Sequence, residues 1–183
     1  MDRVAWRSKI IPCVAAMMLV APIAATALEE RIDDLSASVE VAGVFGVDAT
    51  QTALIFTNVS GGRTTVLGEG RFHNQVTCRS NYGRPWYLKA QLVELRHTGT
   101  KRTLPPDSLK WKVVESSGVG RVSGRETDFQ PFSDAPVLIY IGEGDDNLGR
   151  PVTLKFQYSL TPPPSTLAGT YIGQISFTMS ENP

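Results

Sequence analysis

From residue 37 onward, apolar and polar positions alternate along the chain in a succession of short runs. Successive side chains of a strand point to opposite faces, so an apolar residue at every second position marks a strand with one face on a core. From Ala37 the odd positions are apolar or small (Ala37, Val39, Val41, Gly43, Phe45, Val47), which predicts a long first strand. Ala53–Thr57 is a second, short apolar run, closed by the turn formers Asn58 to Gly62, and Arg63–Leu67 is a short candidate between glycines. Phe72, Asn74, Val76 and Cys78 then alternate with His73, Gln75, Thr77 and Arg79. Trp86, Leu88, Ala90 and Leu92 alternate with Tyr87, Lys89 and Gln91. The short Ser80–Pro85 break between these two runs predicts neighbouring strands joined by a loop.

Leu109, Trp111 and Val113 alternate with Lys110 and Lys112, and Ser116–Gly124 reads as a surface loop. Val137–Ile141 has no polar face, which predicts a strand covered on both sides. Val152, Leu154, Phe156, Tyr158 and Leu160 form the clearest alternation, ended by Pro162-Pro163-Pro164, since proline has no amide to give a ladder. The last run is Tyr171, Gly173, Ile175, Phe177 and Met179, with Ile172, Gln174, Ser176 and Thr178 on the other face. With about eight or nine strands and no helical period, the expected fold is all-β, a two-sheet antiparallel β-sandwich, with a closed barrel as the alternative.

The first 27 residues follow a different grammar. Arg3, Arg7 and Lys9 precede the apolar stretch Ile10–Val20, and Ala25-Thr26-Ala27 fits a small-x-small cleavage site. This is the pattern of a secretory signal peptide over residues 1–27; an uncleaved anchor is the competing reading. Ile10-Ile11-Pro12 before Cys13 does not suit lipidation. Residues 28–36 form a charged leader, and residues 37–183 the expected single sandwich domain. The chain is thus expected to be exported, to the cell surface, periplasm or extracellular space.

Charge narrows the partners. Without residues 1–27 there are 15 basic and 17 acidic side chains, a net charge of −2, which argues against a nucleic-acid binder. Cys78 is then the one remaining cysteine, in phase with Val76, and reads as a buried, inert thiol.

Chemistry is sparse. His73 and His97 stand apart from each other and from acids at ligand spacing, and His73 falls on the wet face of its strand. No metalloprotease, paired-cysteine, nucleophile-elbow or phosphate-loop motif is present, so a catalyst is not expected and no cofactor is implied. Asn58-Val59-Ser60 fits a glycosylation sequon. Glu143, Asp145, Asp146 and Asn147, spaced by glycines, form the densest oxygen-donor cluster. Calcium takes about six to eight such ligands, so the loop is a candidate calcium site, with a solvated acidic turn as the bland alternative. Trp86 and Trp111 share the phase of apolar neighbours and read as core, whereas Tyr87 and Tyr140 are candidate surface contacts for sugars.

Two segments carry a family likeness. Trp86-Tyr87-Leu88, after Gly83-Arg84-Pro85, resembles the first signature of the WxL domain. Tyr171–Pro183 is similar to that family's C-terminal segment, with Phe177-Thr178-Met179 where the second Trp-x-Leu would stand. The resemblance implies an exported, non-catalytic surface domain held non-covalently on the peptidoglycan wall, with a cell-wall polymer or other surface proteins as partners. It also implies that Trp86, Leu88, Tyr171, Phe177 and Met179 are structural motif residues. A pilin-like or fibre-forming subunit that self-associates through sheet edges is the alternative.

Overall fold

The computed structural model of the chain describes residues 39–124 and 128–183; the expected signal peptide, the charged leader and the first two residues of the expected domain lie outside them. Twelve strands follow in order: β1 (Phe45–Ala49), β2 (Ala53–Val59), β3 (Thr65–Leu67), β4 (Asn74–Ser80), β5 (Trp86–His97) and β6 (Thr103–Leu104). They continue with β7 (Leu109–Ser116), β8 (Arg121–Val122), β9 (Gln130–Pro131), β10 (Val137–Gly142), β11 (Val152–Leu160) and β12 (Gly169–Ser180). Among the described residues the helical structure is confined to two short 3-10 turns, Pro106–Ser108 and Gly144–Asn147.

The strands form two antiparallel sheets of six. One has the order β1-β4-β11-β7-β9, with β3 beside β11; the other has β2-β12-β5-β10-β8, with β6 beside β5. The expected two-sheet sandwich is the observed fold. Its core is the in-phase set of the sequence: Val76 and Cys78, Trp86 and Leu88, Leu109 and Trp111, Leu154, Phe156 and Tyr158, Tyr171 and Ile175. Tyr158 donates its hydroxyl to Asn74 Oδ1 at 3.0 Å, which satisfies two polar groups that the core encloses.

Four expectations change. The first strand is shorter than its alternation suggested: β1 begins at Phe45, while Val39 and Val41 are 84% and 78% exposed, because no strand among the described residues pairs with them. β4 and β5 are not neighbours, since β4 lies between β1 and β11 and β5 between β12 and β10; the connection over residues 81–85 passes from one sheet to the other. The strand count is twelve because β6, β8 and β9, two residues each, exist only through pairing with longer strands. Ser116–Gly124 is not all surface loop: it ends β7, contains β8, and between them carries the backbone that meets Asp146, described below. In β10 none of the six residues is exposed, as its uniformly apolar run predicted, and a bulge between Leu138 and Tyr140 turns Tyr140 to the core.

Two irregularities interrupt the regular sandwich. The chain crosses from β1 in one sheet to β2 in the other through Thr50–Thr52, so a single segment closes that side of both sheets. In β5 the apolar phase jumps from Leu92 to Leu95, because Val93 and Glu94 bulge against the single residue Gln174 that separates Gly173 from Ile175 on β12.

Cys78 is fully buried in β4, and loss of solvation, with smaller contributions from Asp146 and Asp48, pushes its thiol up to about 12. In a Cys13→Ser background, the native protein at pH 8 is expected to be silent to a thiol reagent and to release a full equivalent on denaturation. Rapid native labelling would contradict this burial.

Candidate functional site

The motif residues come from the two longest strands, β5 and β12, which pair with each other along most of their length. Met179 lies opposite Leu88, Phe177 opposite Ala90, and Ser180 opposite Tyr87. Trp86 and Leu88 are fully buried; Phe177 and Met179 are half-buried at the margin of the same core. Trp86 packs on Tyr140 of the adjacent β10, with ring centroids 5.5 Å apart. Phe177 reaches across the sandwich to Phe156, also at 5.5 Å. These four residues therefore gather toward one end of the sheet.

Tyr171 does not join them. It is buried opposite His97 toward the other end of β12, where its hydroxyl donates to the Leu167 carbonyl at 3.0 Å and closes the turn before the strand. Phe177→Asp would set a carboxylate against the Phe156 ring without a partner, at a cost of about 3 kcal/mol or more. The melting temperature should fall by about 10 °C, and an unchanged value would contradict the inward orientation of this strand.

The acidic loop is a structural knot. Asp146 is buried, and its Oδ1 accepts the Val119 N–H at 3.0 Å while Oδ2 accepts the Gly120 N–H at 2.9 Å and the Tyr140 hydroxyl at 2.7 Å. Its backbone carbonyl accepts the Trp86 indole N–H at 3.3 Å. One residue thus fastens the β7–β8 connection, β10 and the start of β5. Gly118 and Gly120 are required by close approach: a Cβ on either would fall on the Tyr140 hydroxyl and the Asp146 carboxylate. Burial, reinforced by the hydrogen bond to Asp146, raises the Tyr140 hydroxyl well above its ordinary pKa. The other two acids turn elsewhere, Glu143 to Arg121 at 3.0 Å and Asp145 to Arg150 at 3.8 Å. Among the described residues no group of three or more His, Cys, Asp and Glu comes together to hold a metal, so the candidate calcium ligands are dispersed.

Two other side chains, Tyr140 and His73, differ from expectation. Tyr140 is not a surface contact but fully buried, for the reason just given. Tyr87 is half-buried in β5. His73 is half-buried instead of freely solvated: its Nε2 is buried without a hydrogen-bond partner, its ring stands edge-on to Tyr158 at 5.9 Å, and desolvation, partly offset by the Ala53 backbone, lowers its pKa. His97 has a structural task, accepting the Gly99 and Thr100 amides on Nδ1 at 2.9 and 3.1 Å and so shaping the turn after β5.

What the motif strands leave free is their outer face. Gln174, Ser176 and Thr178 are exposed on β12, with Gln91 opposite Ser176 and Lys89 opposite Thr178. These form a flat field of hydroxyl, amide and ammonium groups. Beside the β5 bulge this face opens into a groove of about 470 Å³, lined by Ala53, Val93, Arg96, His97, Ile172 and Gln174. The phase jump from Leu92 to Leu95 was the sequence signal for the bulge; the Gly118-Val119-Gly120 spacing was the signal for the loop that meets Asp146.

No protein-family model matches the chain, and no curated protein does. Among solved structures it is similar to a family 123 glycoside hydrolase from Clostridium perfringens, described for glycolipid glycan hydrolysis, at 12% identity and a TM-score of 0.39. The match covers 75% of this chain and 25% of that one, so this chain spans about a quarter of that protein's length. A likeness of this size bears on neither mechanism nor substrate.

Proposed function

We propose that this chain is an exported, non-catalytic module of the cell surface that associates with a cell-wall polymer, in the manner of the WxL domains it resembles. The observation that carries the reading is the pairing of the two motif strands, with Met179 opposite Leu88 and the Trp86 and Phe177 rings turned to the interior. In that arrangement the motif aromatic and aliphatic groups build the core, and binding falls to the outer face. Hydroxyl and amide side chains at Gln91, Gln174, Ser176 and Thr178 offer paired donors and acceptors to a polyhydroxylated, N-acylated polymer. The test is retention on purified peptidoglycan: the protein should sediment with the wall fraction above an unrelated sandwich protein of similar charge. Equal recovery of the two would sink the proposal.

A further inference from the structure

The strands that end the two sheets are not alike. β8 and β9 are two residues long and carry Arg121 and Pro131, and β1 carries the exposed Asp48. Short length, charge and proline are the usual means by which a sheet edge avoids further pairing. β2 has none of these: its seven residues include no charge and no proline, and among the described residues it pairs on one side, with β12.

The direction of its free hydrogen-bonding groups follows from the register. The Ile175 amide donates to the Thr52 carbonyl at 3.0 Å, and Leu54 and Phe56 continue the ladder opposite Gly173 and Tyr171. Antiparallel pairs alternate between hydrogen-bonded and non-hydrogen-bonded, so Thr52, Leu54 and Phe56 spend their amides and carbonyls on β12. Ala53, Ile55 and Thr57 turn theirs outward, with the Ala53 carbonyl also within reach of the His73 side chain. Beyond them Asn58, at φ 56°, breaks the regular edge.

We propose that β2 pairs antiparallel with β2 of a second copy about a two-fold axis at Ile55. Ile55 then faces the partner's Ile55, Ala53 faces the partner's Thr57, and the outward groups form about six backbone hydrogen bonds. The side chains agree with this register. Ile55 and Ile172 are directly opposite each other and 50% and 45% exposed. Pairing extends this couple into a row of Ile172, Ile55, the partner's Ile55 and the partner's Ile172, the cross-strand contact that stabilises sheets. With no charge on the edge, its own copy meets no repulsion. Because the contact uses the same patch twice it closes as a dimer and does not propagate into a fibre. The inference is independent of wall binding.

Sedimentation equilibrium of the purified protein should show a reversible monomer–dimer equilibrium. Ile55→Lys, which brings two ammonium groups together at the axis, should be monomeric with an unchanged melting temperature. In a Cys13→Ser background, Ile55→Cys should cross-link under mild oxidation, since facing Cα atoms about 5.5 Å apart are within disulfide reach. Ala53→Cys should not, because its neighbour across the seam is the partner's Thr57. A wild-type protein that stays monomeric at several hundred micromolar overturns the proposal. So does a dimer that survives Ile55→Lys, or equal cross-linking at positions 53 and 55.

Discussion

Trp86→Ala should cost about 4 kcal/mol of stability, within the usual range for deleting a large buried aromatic side chain. The indole is fully buried, lies against the Tyr140 ring, and occupies the space where residue 142 would carry a Cβ, which is why glycine stands there. Truncation leaves a cavity that Gly142 cannot fill and removes the donor to the Asp146 carbonyl. Trp86→Phe should lose less, because most of the ring contact survives. Urea denaturation of the three proteins measures this directly. A loss below about 1 kcal/mol for Trp86→Ala would show that the first motif is not part of the core.

Asp146→Ala should be comparably damaging, about 3–5 kcal/mol, the range seen when one member of a buried charged network is removed. Three donors converge on the carboxylate, and each would be left in a water-poor site without an acceptor. Asp146→Asn should fall between alanine and wild type, since its amide nitrogen replaces an acceptor with a donor that faces another donor. Hydrogen exchange supplies a local readout: the Val119 and Gly120 amides should lose protection in Asp146→Ala more than the amides of β11 do. Equal protection in variant and wild type would mean that the loop is held by something other than Asp146.

The strands with one face buried were legible because that face imposes a period of two, as in Val152–Leu160 and Tyr171–Met179, where prediction and structure agree on which side faces the core. Pairing was not legible in the same way. The alternation of β4 and β5 is identical whether they share a sheet or face each other across the core, and a five-residue connection serves both arrangements. Alternation also overran the structure at Val39 and Val41, where the pattern continues but no edge receives it. The acids of the Gly142–Gly149 loop looked alike in the sequence. Asp146 is singled out by a loop that precedes it by 27 residues at Val119, and by the glycines that let that loop approach. Of the motif residues, the inward phase of Trp86, Leu88, Phe177 and Met179 could be read locally; that they meet on adjacent strands depended on topology.

If the motif strands build the core and their outer face binds the wall, the two functions separate by mutation. Ser176 and Thr178 are exposed, and neither side chain takes part in the knot at Asp146 or in the core. The double substitution Ser176→Arg and Thr178→Arg should therefore leave the melting temperature within about 2 °C of wild type, as exposed substitutions generally do. Retention of this variant on purified peptidoglycan, measured beside the wild type, should fall at least tenfold. Undiminished retention at unchanged stability would contradict the assignment of binding to this face.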